Sequence, residues 1–215
     1  MTLRNRLFLE LVLAHAPAPP ARVLEVGCGR GELAFALDKH GFDVVAVDPE
    51  APDGPVFRQV ALEDFSDERG FDAVVASLSL HHIPNLDGAL DAIAAFLPPG
   101  GQLVVQEWAS ERLAGPTARW WYEQRRALAS VGRADSEVPD DFVAWTRHNE
   151  KHLADLHRTP ALRDAIGARF LERFFEWSPY LYSWRLDDAL EPLERALVEE
   201  GAIEATSWLY VGVRR

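Results

Sequence analysis

The side chains best able to do chemistry fall in four short stretches. A glycine loop, Gly27-Cys28-Gly29-Arg30-Gly31, follows the β-branched run Val23 to Val26, so backbone N–H groups at a strand-to-helix turn would face a ligand there. Two carboxylates flank it, Glu25 before and Glu32 after. Asp48 ends a second apolar run about 20 residues beyond Gly27, where a carboxylate can accept from both hydroxyls of a ribose. Glu63 and Asp64 follow a third short run, Val56 to Val60, and Asp64 suits an exocyclic purine amino group. The plain alternative for each acid is a helix N-cap or a solvated charge. Last come His81 and His82, with Glu107 farther on, as candidates to take a proton near neutral pH. Here the plain alternatives are a turn cap before Pro84 for the histidines and a surface or capping acid for Glu107.

Charge discriminates between the ligands such a loop could hold. A dinucleotide fingerprint wants a third glycine or alanine where Glu32 stands. Two carboxylates beside a pyrophosphate repel it in a partly desolvated cleft, whereas they suit a ligand carrying an ammonium and a sulfonium. The loop therefore favours S-adenosylmethionine over NAD, while Asp48 serves either. Cys28 has no candidate redox partner and reads as a small buried packing residue within the loop, not as a nucleophile.

These residues need a scaffold, and the patterning supplies one. Val23 to Val26, Val44 to Val47, Phe71 to Ala76 and Gln102 to Val105 are nearly continuous apolar runs, as expected of parallel strands covered on both faces. Glu32 to His40, closed by Gly41, and the face Leu86, Leu90, Ile93 and Leu97, ended by Pro98-Pro99-Gly100, read as crossover helices. The alternation predicts a doubly wound α/β fold whose ligands sit at the C-terminal edge of the strands. A single domain over 1–215 is expected. Residues 1–20 form an N-terminal helix, with Leu3, Leu7, Phe8, Leu11 and Val12 at helical spacing after a Thr2 cap, and a proline-rich linker. Residues 109–169 read as a helical insertion forming a substrate lid; Phe170 to Trp177 and Thr206 to Val213 read as late strands around a helix from about Asp187 to Glu200.

Composition narrows the class. The 215 residues are 48% hydrophobic and 26% charged, which suits one sizeable core. A net charge of −12 repels phosphate backbones and anionic membranes, so neither nucleic acid nor membrane is an expected partner. The single cysteine excludes internal disulfides and thiolate clusters and fits a reducing, cytoplasmic setting. Neither a signal peptide nor a membrane span is legible.

Five segments in order resemble the class I S-adenosylmethionine-dependent methyltransferases. Val23-Leu24-Glu25-Val26-Gly27-Cys28-Gly29-Arg30-Gly31 resembles their first motif, and Val44-Val45-Ala46-Val47-Asp48 their acidic ribose-binding strand end. Leu62-Glu63-Asp64-Phe65 is similar to their adenine-side acidic pair. Phe71 through Ser77 with Leu80-His81-His82 resembles the fourth-strand motif, and Leu97-Pro98-Pro99-Gly100-Gly101 the element leading into strand five. The likeness spans about residues 20 to 108; an arginine at position 30, where the family more often has a small residue, departs from it. It implies a seven-stranded sheet with an antiparallel last strand over Thr206 to Val213. It also implies that Glu25, Gly27 and Gly29 hold the amino-acid end of the cofactor, with Ser77 near by. The resulting expectation is a methyltransferase for a small-molecule acceptor; a nicotinamide oxidoreductase or a non-catalytic cofactor-binding module are the alternatives.

Methyl transfer from a sulfonium is an in-line displacement in which orientation and exclusion of water supply most of the rate, and a base is needed only if the acceptor must lose a proton. Trp120, Trp121, Tyr122, Phe142, Trp145, Trp177, Tyr180, Tyr182 and Trp184 suggest an aromatic lid, most of it core. His148 and His152 share a helical face, but His157 does not, and Glu107 is the one carboxylate well placed near the cleft, so no metal is expected.

Overall fold

The computed structural model describes residues 1–153 and 155–215, apart from the side chains of residues 150–152. Among these, the apolar runs build one seven-stranded sheet: β1 (Arg22–Val26), β2 (Asp43–Asp48), β3 (Phe57–Gln59), β4 (Ala73–Ser77), β5 (Gln102–Trp108), β6 (Phe170–Ser178) and β7 (Ser207–Arg214). Their spatial order is β3-β2-β1-β4-β5-β7-β6. The first five strands pair in parallel, and β7 lies antiparallel to both β5 and β6, matching the architecture expected above. The helices are α1 (Leu3–His15), α2 (Glu32–Lys39), α3 (Leu86–Phe96), α4 (Gly115–Ser130), α5 (Phe142–Leu153), α6 (Thr159–Gly167) and α7 (Glu191–Glu199).

Alternation along each strand sends its side chains to two cores. Leu24, Val26, Val74, Ala76, Leu103 and Val105 pack against α3 and α6. Val23, Val44, Ala73, Val75 and Val104 pack against α1 and α2 on the other face. With both faces covered, an unbroken apolar run is the only strand sequence that avoids burying unpaired polarity, which is why the runs were legible. The strand order reverses between β1 and β4, and a crevice opens there at their C-terminal ends.

Several elements differ from expectation. β5 runs three residues beyond Val105, because β7 pairs with it as far as Trp108↔Ser207. Phe71 lies ahead of β4, its N–H donating to Phe96 O at 2.8 Å. In α1 the Thr2 cap is present, its hydroxyl accepting from Asn5 N, but the buried face is Phe8, Leu9 and Val12. Leu3, Leu7 and Leu11 are only half-buried.

The stretch 109–169 divides in two. α6 is not lid: Leu162 and Ile166 are fully buried in the α3-side core, and Thr159 accepts from Trp208 Nε1 at 3.1 Å. α4 and α5 instead close a satellite core of their own, Ala118, Trp121, Tyr122, Val138 and Trp145 with Leu181. Among the described residues no helix is long and apolar enough to cross a membrane.

Candidate functional site

Beyond Val26 the chain turns on three left-handed glycines, Gly27, Gly29 and Gly31, at φ of 75°, 50° and 79°. Residues with a Cβ resist this region, so the glycines make the loop possible. Gly27 has a second reason: a Cβ there would collide with the side chain of Ser79 from the loop after β4. The Gly27 and Cys28 amides donate to Val47 O at 2.9 and 3.2 Å, pinning the loop to β2. Gly29 N donates to Asp48 Oδ2 at 2.9 Å, and Glu50 N to Oδ1 at 2.8 Å. Asp48 therefore stands at the crevice with both oxygens oriented by backbone.

Cavities open on either side of this loop. One, of about 410 Å³, is lined by Gly27, Asp48, Pro49, Leu62, Glu63, Leu78, Ser79, His82 and Ile83 among others. The other, of about 280 Å³, is lined by Glu25, Cys28, Gly29, Ser77 and Arg30, together with Thr2, Arg4 and Asn5 from the first turn of α1. Of the expected acidic pair, both exposed on the 3-10 turn Leu62–Asp64, Glu63 lines the larger cavity and Asp64 does not.

Glu25 is the electrostatic singularity of the smaller cavity. It is 3% exposed, and its Oε2 has no hydrogen-bond partner. Burial drives its pKa up to about 8; the Ala34 amide opposes the rise and Asp48 adds to it. Cys28 belongs to the α1/α2-side core, and burial, with the nearby charges of Glu25 and Asp48, pushes its thiol up to about 12, so it is no thiolate.

The second half of the site is the turn after β4. Leu78, a non-glycine at φ 55°, is held there by its N–H to Gln106 O at 2.8 Å. Such strain persists only where its surroundings enforce it. Glu107 does the enforcing. Because β5 is longer than the sequence suggested, Glu107 lies inside the sheet at 0% exposure, not at a cleft-facing strand end. Its Oε1 accepts from Ser79 N at 3.1 Å and Leu80 N at 2.7 Å, and its Oε2 accepts from His81 Nδ1. Glu107 is thus out of reach of any acceptor, and it orients His81. His81 is 4% exposed, and its ring lies 4.1 Å, centroid to centroid, from that of His82. Burial lowers the His82 pKa, with the His81 ring acting in the same direction and Glu107 against it.

A third cavity, about 370 Å³, lies beyond the histidines. Leu78 and His82 line both this cavity and the one beside Asp48. Its other walls include His81, Trp108, Tyr180 and Trp184. Trp108 meets Trp184 edge-on at 4.5 Å between centroids, and Tyr180 lies nearly parallel to Trp184 at 6.3 Å. The Tyr180 segment is held by Glu194 of α7, at 0% exposure, which accepts from Tyr180, Leu181 and Tyr182 N at 2.8, 3.0 and 2.7 Å. His148 lines this cavity, His157 Nε2 donates to Ile83 O at 2.9 Å, and the side chain of His152 lies outside the described part of the structure. Among the described residues no three His, Cys, Asp or Glu side chains are grouped to hold a metal ion.

Sequence reasoning missed Arg4, Leu78, Ser79 and Glu194. The first and last reach the site across long sequence separations. A two-residue link between strand end and 3-10 turn was the one available signal for Leu78 and Ser79.

Comparison with known proteins places this geometry among relatives. A methyltransferase-domain family model matches residues 2–153. The ubiquinone biosynthesis O-methyltransferase of Xylella fastidiosa strain 9a5c is 32% identical over 170 residues, covering 71% of this chain and 69% of that one. Among solved structures, a putative S-adenosylmethionine-dependent methyltransferase from Listeria monocytogenes has a TM-score of 0.61 at 14% identity, covering 99% of both chains. The 1,6-didemethyltoxoflavin-N1-methyltransferase of Burkholderia thailandensis, with its substrate and S-adenosylhomocysteine bound, has a TM-score of 0.57 at 19% identity, covering 99% of this chain and 78% of that one. These two structures share the fold.

Proposed function

The chain belongs to the class I S-adenosylmethionine-dependent methyltransferases, and from that premise we propose that it methylates a hydroxyl of a small aromatic acceptor held beneath Trp108, Tyr180 and Trp184. One observation carries the reading: Leu78 and His82 line both the crevice beside Asp48 and the aromatic cavity, so the two sites adjoin at the histidine turn. The O-methyltransferase relative supports oxygen as the receiving atom.

The residues fit the cofactor. Glu25 offers a buried, unpartnered carboxylate oxygen at the end where an ammonium would sit, and the glycine loop leaves Gly29 with nothing within 4 Å of an added Cβ. In this reading Asp48 holds the ribose hydroxyls and Glu63, in place of Asp64, meets the adenine amino group. Gly27, Gly29, Ser77, Glu25 and Arg4 surround the amino-acid end. When bound, S-adenosylmethionine supplies an electrophilic methyl group on a sulfonium.

The chain's own part is orientation, dryness and a proton acceptor. His82 is the base: burial keeps its imidazole neutral at pH 7, and it lies at the shared wall. His81, fixed through Nδ1 by Glu107, holds the His82 ring in place. The aromatic walls exclude water. α4 and α5 cover the acceptor side as its lid. The acidic chain disfavours a nucleic-acid acceptor, and we place the activity in the cytoplasm, consistent with the lone buried thiol.

The test is calorimetry with S-adenosylhomocysteine and NADH, followed by turnover of phenols measured as S-adenosylhomocysteine release. Binding of the former alone is expected, and His82→Ala should slow turnover by about 100-fold or more, the usual worth of a positioned base. NADH binding without S-adenosylhomocysteine binding, or undiminished turnover by the variant, would overturn the reading.

A further inference from the structure

Tyr180 is held at every polar atom except one. Its N–H donates to Glu194 Oε1 at 2.8 Å, and its carbonyl accepts from Ser183 N and Ser183 Oγ, both at 3.0 Å. The ring lies 5.9 Å from that of Trp108 and 6.3 Å from that of Trp184, centroid to centroid. The hydroxyl is left over: the residue is 8% exposed, and among the described residues nothing hydrogen-bonds its phenolic oxygen. Buried hydroxyls without a partner are rare, because each forgoes a hydrogen bond that water would have made. A phenol mounted this firmly on a cavity wall calls for a partner among the cavity's contents.

The surroundings say what kind of partner. Burial pushes the Tyr180 phenol up to about 12; Arg4 opposes the rise and Glu107 adds to it. At pH 7 the phenol keeps its proton and offers a donor, so it does not compete with His82 as a base. Among the described residues no carboxylate lines the cavity, whereas Arg185 and the imidazoles of His81, His82 and His148 do. Negative charge arriving there meets donors and no acidic neighbour. The Glu107 carboxylate behind the turn already accepts from Ser79 N, Leu80 N and His81.

We propose that the Tyr180 hydroxyl donates to the acceptor's reacting oxygen, so that the phenol is held as its phenolate before the methyl group is transferred. This rests on the assignment of the aromatic cavity to the acceptor. The acceptor's proton passes to His82. The oxygen's electron pair then forms the O–C bond as the C–S bond breaks, and the pair from that bond returns to sulfur, neutralising the sulfonium. Tyr180 loses no proton at any stage. Its hydrogen bond favours the anion over the neutral phenol, which enlarges the reactive fraction at neutral pH.

The test is a pH titration of bound 4-nitrophenol, whose phenolate absorbs visible light, on protein kept saturated with S-adenosylhomocysteine at every pH. Relative to Tyr180→Phe, the native protein should favour the bound anion about tenfold or more, a midpoint about one pH unit or more lower. The same displacement should separate His82→Ala from the His82→Ala, Tyr180→Phe double variant, because the bond does not pass through the imidazole.

Coinciding midpoints overturn the donor role and leave the phenol assignment standing. A displacement that vanishes in the His82→Ala background also overturns it, since the probe then reports on the histidine. Removing an unpartnered hydroxyl should leave the circular dichroism spectrum and S-adenosylhomocysteine affinity intact; loss of either in Tyr180→Phe means that the hydroxyl has a partner within the protein, and the proposal falls. If S-adenosylhomocysteine binds and 4-nitrophenol does not, the acceptor assignment falls and the donor role with it.

Discussion

If the cofactor's ammonium lies beside Glu25, as proposed, cofactor binding is a proton-linked event. In the free protein its carboxyl is held at about 8, chiefly by burial, so at neutral pH it is mostly protonated. An ammonium brought beside the unpartnered oxygen favours the carboxylate, and binding must then expel the proton. The cost of ionising it is about two pKa units at pH 6 and about 0.6 at pH 7.5. The difference, about 1.4 units or roughly 1.9 kcal/mol, is about 25-fold in affinity. S-adenosylhomocysteine should therefore bind about 25-fold more tightly at pH 7.5 than at pH 6, releasing close to one proton, counted by calorimetry in buffers of different ionisation enthalpy. Glu25→Gln should bind weakly at both pH values with little slope. 5′-Deoxy-5′-methylthioadenosine, which lacks the amino-acid end, should show no such slope with the native protein, which separates Glu25 from His82 on the adenosine side. Equal affinity at pH 6 and 7.5, with no proton released, would refute the assignment of the smaller cavity to the ammonium. The same shift acts on folding with the opposite sense: for the free protein the contribution of Glu25 is present below the ordinary carboxyl pKa of 4.5 and is lost as pH rises through about 8. Ligand should offset that loss.

Three more outcomes are expected. Gly27→Ala forces an L residue to φ 75° and a Cβ into Ser79, and should reduce S-adenosylhomocysteine affinity at least 100-fold with the circular dichroism spectrum retained; near-native affinity would mean the loop is not packed as described. Glu194→Gln replaces one of the two carboxylate oxygens that three backbone amides share, and should cost about 2 to 3 kcal/mol of stability and alter the emission of Trp184, whose ring shares a wall with Tyr180. An unchanged melting temperature would refute that role. Cys28, with its thiol at about 12, should resist iodoacetamide at pH 8 in the folded protein and react once denaturant is added; rapid alkylation of the native state would contradict its burial.

What the sequence showed, and what it hid, follows from how local each signal is. The strands before Gly27, Asp48 and Ser77 announce themselves because both faces of a parallel sheet demand apolar side chains, and the glycine loop because left-handed turns demand glycine. The role of Glu107 was hidden by β5: without β7 beside it, the strand reads as ending at Val105, and the carboxylate then lies at an edge instead of inside. Glu194 sits 14 residues from Tyr180 on a helix that also carries Glu191, Arg195 and Glu199, so no spacing marks it as the fully buried one. Arg4 reaches the smaller cavity only because α1 packs across α2, with Asn5 Nδ2 donating to Glu32 at 2.9 Å. α6 reads as a continuation of the insertion because its amphipathic pattern does not say which surface it covers.

Glu107 and Glu194 each gather consecutive backbone amides, yet they come from different elements and share no partner. In the proposed reading, the turn that takes the acceptor's proton and the segment that selects the acceptor are therefore held by different carboxylates. On that reading, substitutions over 181–186 would retune the choice of recipient while the hydrogen bonds of Glu107 to the histidine turn stay as they are. A lineage built on this plan can diversify its substrates without having to reinvent its chemistry.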